Sequence, residues 1–217
     1  MIKPILFNTD MVKAILEGRK TITRRVIKPQ PKTDSTVTLF STFDYADISY
    51  DGALKLSPYQ PGDILYVRET WRCWRAHRYE ATADIKYKAG GDGIRLYFSN
   101  GSTDNPNRDD YDSFIGKWWT GGYGWKPSIH MPKEAARIFL RVTNVSVARI
   151  QDITTKDIQK EGLTSMAVFA GDKEIARQEW ALLWDGTITG KDYNKYCFSS
   201  NPWVWVSEFE RTEKPNE

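Results

Sequence analysis

Strand-forming stretches in this 217-residue chain follow one another instead of alternating with crossover helices. That order most constrains the fold. A doubly wound parallel sheet needs a helix between successive strands, whereas runs of strands lead to α+β architectures with a mixed or barrel-like β core. Strands are expected at Ile64 to Glu69, after the turn Pro61-Gly62-Asp63, at Ile85 to Lys88, at Ile94 to Phe98, at Ile138 to Ile150 and at Trp203 to Glu210. A helix is expected over Thr9 to Glu17, capped by Asn8 or Thr9, with Met11, Val12, Ile15 and Leu16 on its apolar side and Gly18 after its end. A short helix ends near Glu161-Gly162, and a longer one covers Lys173 to Trp184. Residues 100–124, rich in Gly, Asn, Asp and Ser, predict a long loop. The whole reads as one domain with insertions at about 26–60 and 92–125.

Aromatic content sets what that fold must accommodate. Nine Trp, eleven Tyr and nine Phe make 13% of the residues, and Trp favours cores, pocket walls and stacking surfaces because its N–H needs a partner when buried. The pairs Trp180/Trp184 and Trp203/Trp205 have the spacings that pack a helix on a sheet and are expected in the core. The net charge of +3 is too small to argue for nucleic acid by itself. No apolar run of about 18 residues is present to span a bilayer, and Met1 to Asp10 does not read as a secretory signal. Cys73 and Cys197 lie far apart, which excludes a disulfide framework and a paired-cysteine zinc site, and the chain has only two histidines. The expectation is a reduced, cytoplasmic protein with no metal, cofactor or membrane partner, its oligomeric state left open.

The densest chemical signal is Gly18 to Arg25. A Gly after a helix feeds a short β-branched segment bearing Lys20, Thr21, Thr23, Arg24 and Arg25. Alternation puts Thr21, Thr23 and Arg25 on one face and Ile22 with Arg24 on the other. Neighbouring cations lower a lysine pKa and leave more neutral amine to act as base or nucleophile. The same run is also what a solvated basic turn looks like. Glu69 at a strand end beside Trp71 suits a nucleobase pocket, with an indole to stack and a carboxylate to accept from an exocyclic amine; alternatively Trp71 is core and Glu69 pairs with Arg24 or Arg68. Trp118, Trp119 and Trp125 would stack bases if exposed and cover the core if buried. Ser128 and His130 are further pocket candidates, though a lone His is more often structural.

Gly-Arg-Lys-Thr-Ile-Thr-Arg-Arg after a short helix resembles the signature of the ASCH domains, a branch of the PUA-like superfamily. Pro61-Gly62-Asp63-Ile64-Leu65-Tyr66-Val67, Asp157 to Gly162 and Trp203 to Glu210 resemble three further landmarks of that family, in its order. Pro-Ser-Ile-His-Met-Pro and Asn-Pro-Trp-Val-Trp-Val resemble a longer subgroup common in phages and prophages. The resemblance implies a small mixed β-barrel with flanking helices and a basic cleft. It also implies a metal-independent amidohydrolase acting on N4-acetylcytidine or a similar N4-acylated nucleoside. Carried over by motif, the catalytic groups are Lys20, Thr23 and Glu161. Arg24, Arg25, Glu69, Trp71, Trp118, Trp125, Ser128 and His130 are the candidate substrate contacts. The alternatives are a non-catalytic RNA- or DNA-binding module, with RNA favoured, and a nuclease using the same cleft.

Overall fold

The computed structural model describes residues 1–31, 50–99, 107–119 and 121–215. Residues 32–49, 100–106 and 120, within the expected insertions, lie outside the described residues. Along the chain run β1 (Ile2–Leu6), α1 (Thr9–Leu16), β2 (Ile22–Val26), α2 (Tyr50–Lys55), β3 (Ile64–Arg68), β4 (Trp71–His77), β5 (Thr82–Tyr87), β6 (Ile94–Tyr97), α3 (Arg108–Trp118), β7 (Phe139–Arg149), α4 (Thr155–Lys160), α5 (Met166–Ala170), α6 (Lys173–Asp185), α7 (Tyr193–Tyr196) and β8 (Trp203–Thr212). This is the α+β class. The chain divides into two compact units, one drawing on Ala14–Asp63 and Arg141–Glu210, the other on Ile2–Lys13 and Ile64–Leu140.

In the first unit, β7 from Arg141 onward lies beside β8, and β8 pairs antiparallel with β2. The register sets Thr23 opposite Ser207, Arg24 opposite Val206 and Arg25 opposite Trp205. Residues directly opposite point to the same side, so the sheet has two distinct faces. One face buries Ile22, Val204 and Val206 against Ile158 of α4, Val168 of α5 and Ala176, Trp180 and Trp184 of α6. Each such aliphatic side chain contributes roughly 1.5–3 kcal/mol on full burial. Trp203 and Trp205, expected in the core from their spacing, lie outside it. The small β-branched Val204 and Val206 fill the space under α6, which turns both indoles to the other face, half-buried. There Trp205 Nε1 donates to the Ala53 carbonyl at 2.7 Å.

In the second unit, β1 runs parallel to β3, Ile2 opposite Ile64 through Leu6 opposite Arg68. β4, β5 and β6 form an antiparallel three-stranded sheet in that order. Its inner face buries Trp71, Cys73, Ile85 and Tyr87 with Met131 and Phe139. Within the stretch expected as a loop, Arg108–Trp118 is helical. Asn107 caps it, its side chain accepting from the Asp110 N–H at 3.1 Å. Phe114, Ile115 and Trp118 recur at helical spacing and pack on that core. The polar composition around α3 hides this period.

No closed barrel forms among the described residues. β2 is a terminal strand in the first unit and β1 in the second, while β4 and β6 bound the three-stranded sheet. Among the described residues, no helix is long and apolar enough to cross a membrane.

Candidate active site

α1 ends at Leu16, and Gly18, at φ 74°, turns the chain back so that Lys20 leads into β2. Far along the sequence, Thr154 and Asp157 form a capping box that starts α4, and Glu161 caps its other end. Thr21 N–H donates to the Lys160 carbonyl at 2.8 Å, which ties the start of β2 to the end of α4. Gly162 follows at φ 95°. A Cβ there would lie 2.7 Å from the Ala14 Cβ and 3.2 Å from the Lys20 Cβ, so glycine is what lets the three segments meet.

At this junction Lys20 Nζ donates to Glu161 Oε2 at 2.6 Å, to the Glu161 carbonyl at 3.1 Å and to the Ile22 carbonyl at 2.8 Å. The Lys20 and Glu161 side chains are 0% and 2% exposed. Arg24 Nη1 donates to Glu161 Oε1 at 3.1 Å, and its Nη2 lies 3.3 Å from Asp157 Oδ2. Burial lowers the Lys20 pKa below 10.5; Glu161 opposes that shift, and the nearby Arg25 and Arg24 charges reinforce it. Thr23 is 1% exposed and, by alternation, faces away from Ile22 and Arg24. It shares its side with Arg25, Ser207 and Trp205. Arg25 also lies close enough to Tyr59 to lower the phenol's pKa, though burial, the larger effect, raises it. The sequence reading passes over Ser207 and Tyr59 and assigns Trp205 to the core. The alternation of β8 against β2 is the signal that would have found Ser207 and Trp205.

The remaining candidates belong to the second unit. Glu69 is 1% exposed and forks to Arg137, with Nε to Oε1 at 2.9 Å and Nη2 to Oε2 at 3.0 Å. Its partner is therefore Arg137, and not Arg24 or Arg68, the pairing that stood as the alternative to a pocket. Arg68 instead donates to the Ile129 and Met131 carbonyls. Trp71 is 0% exposed, its ring against Trp118 at 5.5 Å and Phe114 at 6.4 Å. With no face left for a ligand, Trp71 is a core residue and not a base-stacking one. Trp118 is half-buried, Trp125 is 41% exposed, Ser128 is half-buried and His130 is exposed on a 3₁₀ turn. Among the described residues, no group of three or more His, Cys, Asp or Glu could hold a metal ion.

No family model matches the sequence, and no curated protein matches it. Among solved structures, the chain is similar to protein EF3133 from Enterococcus faecalis V583, of family DUF984, at 10% identity and TM-score 0.38, covering 93% of this chain and 66% of that one. It is also similar to the ASCH domain from Lactobacillus crispatus JV V101, at 11% identity and TM-score 0.38, covering 98% of this chain and 80% of that one. The structural neighbours of this chain thus include an ASCH domain and a DUF984 protein.

Proposed function

We propose that the chain is a metal-independent amidohydrolase that removes the acyl group from an N4-acylated cytosine nucleoside, with Lys20, Thr23 and Glu161 as the reacting groups. The observation that carries this reading is the 2.6 Å contact between Lys20 Nζ and Glu161 Oε2, out of water, on the approach to the strand that bears Thr23. Amide hydrolysis adds water across the C–N bond: oxygen bonds to the acyl carbon, the bond to nitrogen breaks, and the departing amine takes a proton. Lys20, its pKa lowered by burial, takes a proton from the attacking water, or from the Thr23 hydroxyl, whose oxygen then holds the acyl group as an ester until water hydrolyses it to the free acid. Glu161 relays it to the leaving amine. Arg25, on the Thr23 side of β2, faces the developing oxyanion, and the half-buried Trp205 offers an indole to the base.

The test is incubation of the purified protein with N4-acetylcytidine and related acylated nucleosides, with products read by mass. Release of cytidine and the free acid is expected, unchanged by a chelator. The rate should rise with pH to a plateau below the ordinary lysine value of 10.5, because the lowered pKa of Lys20 makes its neutral form available earlier. Thr23→Val should keep its melting temperature and lose about 100-fold or more in rate, the lower range of a lost acid–base or nucleophilic group. A folded wild-type protein that hydrolyses none of these substrates overturns the proposal.

A second reading, a non-catalytic nucleic-acid-binding module, is favoured by one observation: the Lys20 ammonium meets three protein acceptors, as a structural pin would. A Thr23→Val protein that binds oligonucleotides normally, beside a wild type without hydrolase activity, is the outcome it expects.

A further inference from the structure

The outward face of β4 and β5 carries an unusual concentration of charge on aromatic rings. Alternation turns Trp71 and Cys73 inward and Arg72 and Trp74 outward, and Arg72 is the cross-strand partner of Lys86 on β5. Three cations approach the Trp74 ring: Lys86 Nζ at 4.0 Å, the Arg72 guanidinium at 4.6 Å and that of Arg75 at 5.8 Å. Arg72 also lies 4.7 Å from the Trp125 ring, so two indoles share one guanidinium, whose Nε is buried without a hydrogen-bond partner. Among the described residues, none of Arg72, Arg75 and Lys86 is ion-paired to a carboxylate. The acid on the same face, Asp84, is already engaged by Arg95 at 2.7 Å and His77 at 3.0 Å. A recess of about 470 Å³ opens here, with Trp74, Arg75 and Lys86 on its wall.

Ring quadrupoles attract cations but do not neutralise them, so three like charges held together still repel. An anion relieves that repulsion. A compact anion would use the charges and leave the indoles idle. A chain of phosphates carrying flat bases uses both, the phosphates on Arg and Lys and the bases on indole and guanidinium planes. We propose that the outward face of β4 and β5, with Arg72, Trp74, Arg75, Lys86 and Trp125, binds single-stranded nucleic acid. This goes beyond the hydrolase reading, because it needs no chemistry at Lys20 and stands or falls by itself.

Fluorescence anisotropy of the full chain with labelled 20-nucleotide RNA and DNA single strands tests it. Binding should weaken about 20-fold between 50 and 200 mM salt, as expected when roughly three phosphates are neutralised. Lys86→Gln and Trp125→Ala alter exposed side chains and should each weaken binding several-fold, and Arg72→Gln with Lys86→Gln tenfold or more. Lys156→Gln, an exposed cation outside the patch, should change nothing. Hydrolysis of a free acylated nucleoside should be the same in Lys86→Gln, in Arg72→Gln with Lys86→Gln and in Lys156→Gln, so that a failure of this site and a failure of the hydrolase reading are told apart. Salt-independent binding, or patch variants that bind like wild type, overturns the proposal. So does inorganic polyphosphate bound as tightly as the oligonucleotides while Trp125→Ala is silent.

Discussion

Lys20 is a cation without solvent, and such a charge is held only by partners that replace water completely. Glu161 supplies most of that replacement and also answers Arg24. Removing the carboxylate leaves two buried cations facing each other. Glu161→Ala should therefore cost about 3–5 kcal/mol of unfolding free energy in urea titrations, the range for breaking a buried pair from one side. Lys20→Met with Glu161→Leu should recover a large part, with Arg24 retaining Asp157. A loss below about 1 kcal/mol for Glu161→Ala would mean that the pair does not hold the fold. Little of this was legible from residue types. Lys20 and Glu161 are 141 positions apart, and no periodicity links them; only the likeness of two short motifs to one family suggested that they meet. Glu69 shows the opposite outcome. Its neighbours in sequence suggested Arg68 as a partner, but Arg68 is taken up by the Ile129 and Met131 carbonyls, and Arg137, distant in sequence, takes the place.

Among the elements, the join of α1, β2 and α4 depends on one backbone conformation. Gly162 sits at φ 95°, in the region that side chains avoid, with Ala14 and Lys20 crowding the position where a Cβ would be. Gly162→Ala should destabilise by about 2–4 kcal/mol, combining backbone strain with overpacking. Thermal unfolding would show it, and a melting temperature unchanged within 2 °C would contradict it. Helices α1 and α6 and strands β3, β7 and β8 were readable because their apolar periods are long and their ends are marked by Gly, Pro or caps. α3 was not, since its apolar residues lie among Asp, Ser and Gly that mimic a loop. β4 was missed as well, because Arg72 and Arg75 flank its indoles and its register shifts between Cys73 and Arg75, which interrupts the alternation.

For the molecule as a whole, each unit contains one buried free thiol: Cys73, 1% exposed, in the second and Cys197, 4% exposed, in the first. Burial, with Asp84 adding to it, pushes the Cys73 thiol up to about 11. Hydrogen bonds from the Ser199 and Ser200 hydroxyls lower that of Cys197. Neither should react with iodoacetamide at pH 8 in the native protein, Cys73 because it is neutral and covered, Cys197 because it is covered. Since α1 and β7 each carry residues of both units, the units should unfold together, and both thiols should become labelled across one urea transition. Two separate midpoints would show that each unit melts by itself.

One consequence follows from β2, an end strand with different work on its two sides. Ile22 and Arg24 serve the hydrocarbon interior and the ion-pair network, while Thr23 and Arg25 serve the side of Ser207 and Trp205. The strand thus has an even–odd grammar. A one-residue slip of β2 against β8 would exchange the two roles in one step, sending the hydroxyl into the oil and the isoleucine out of it.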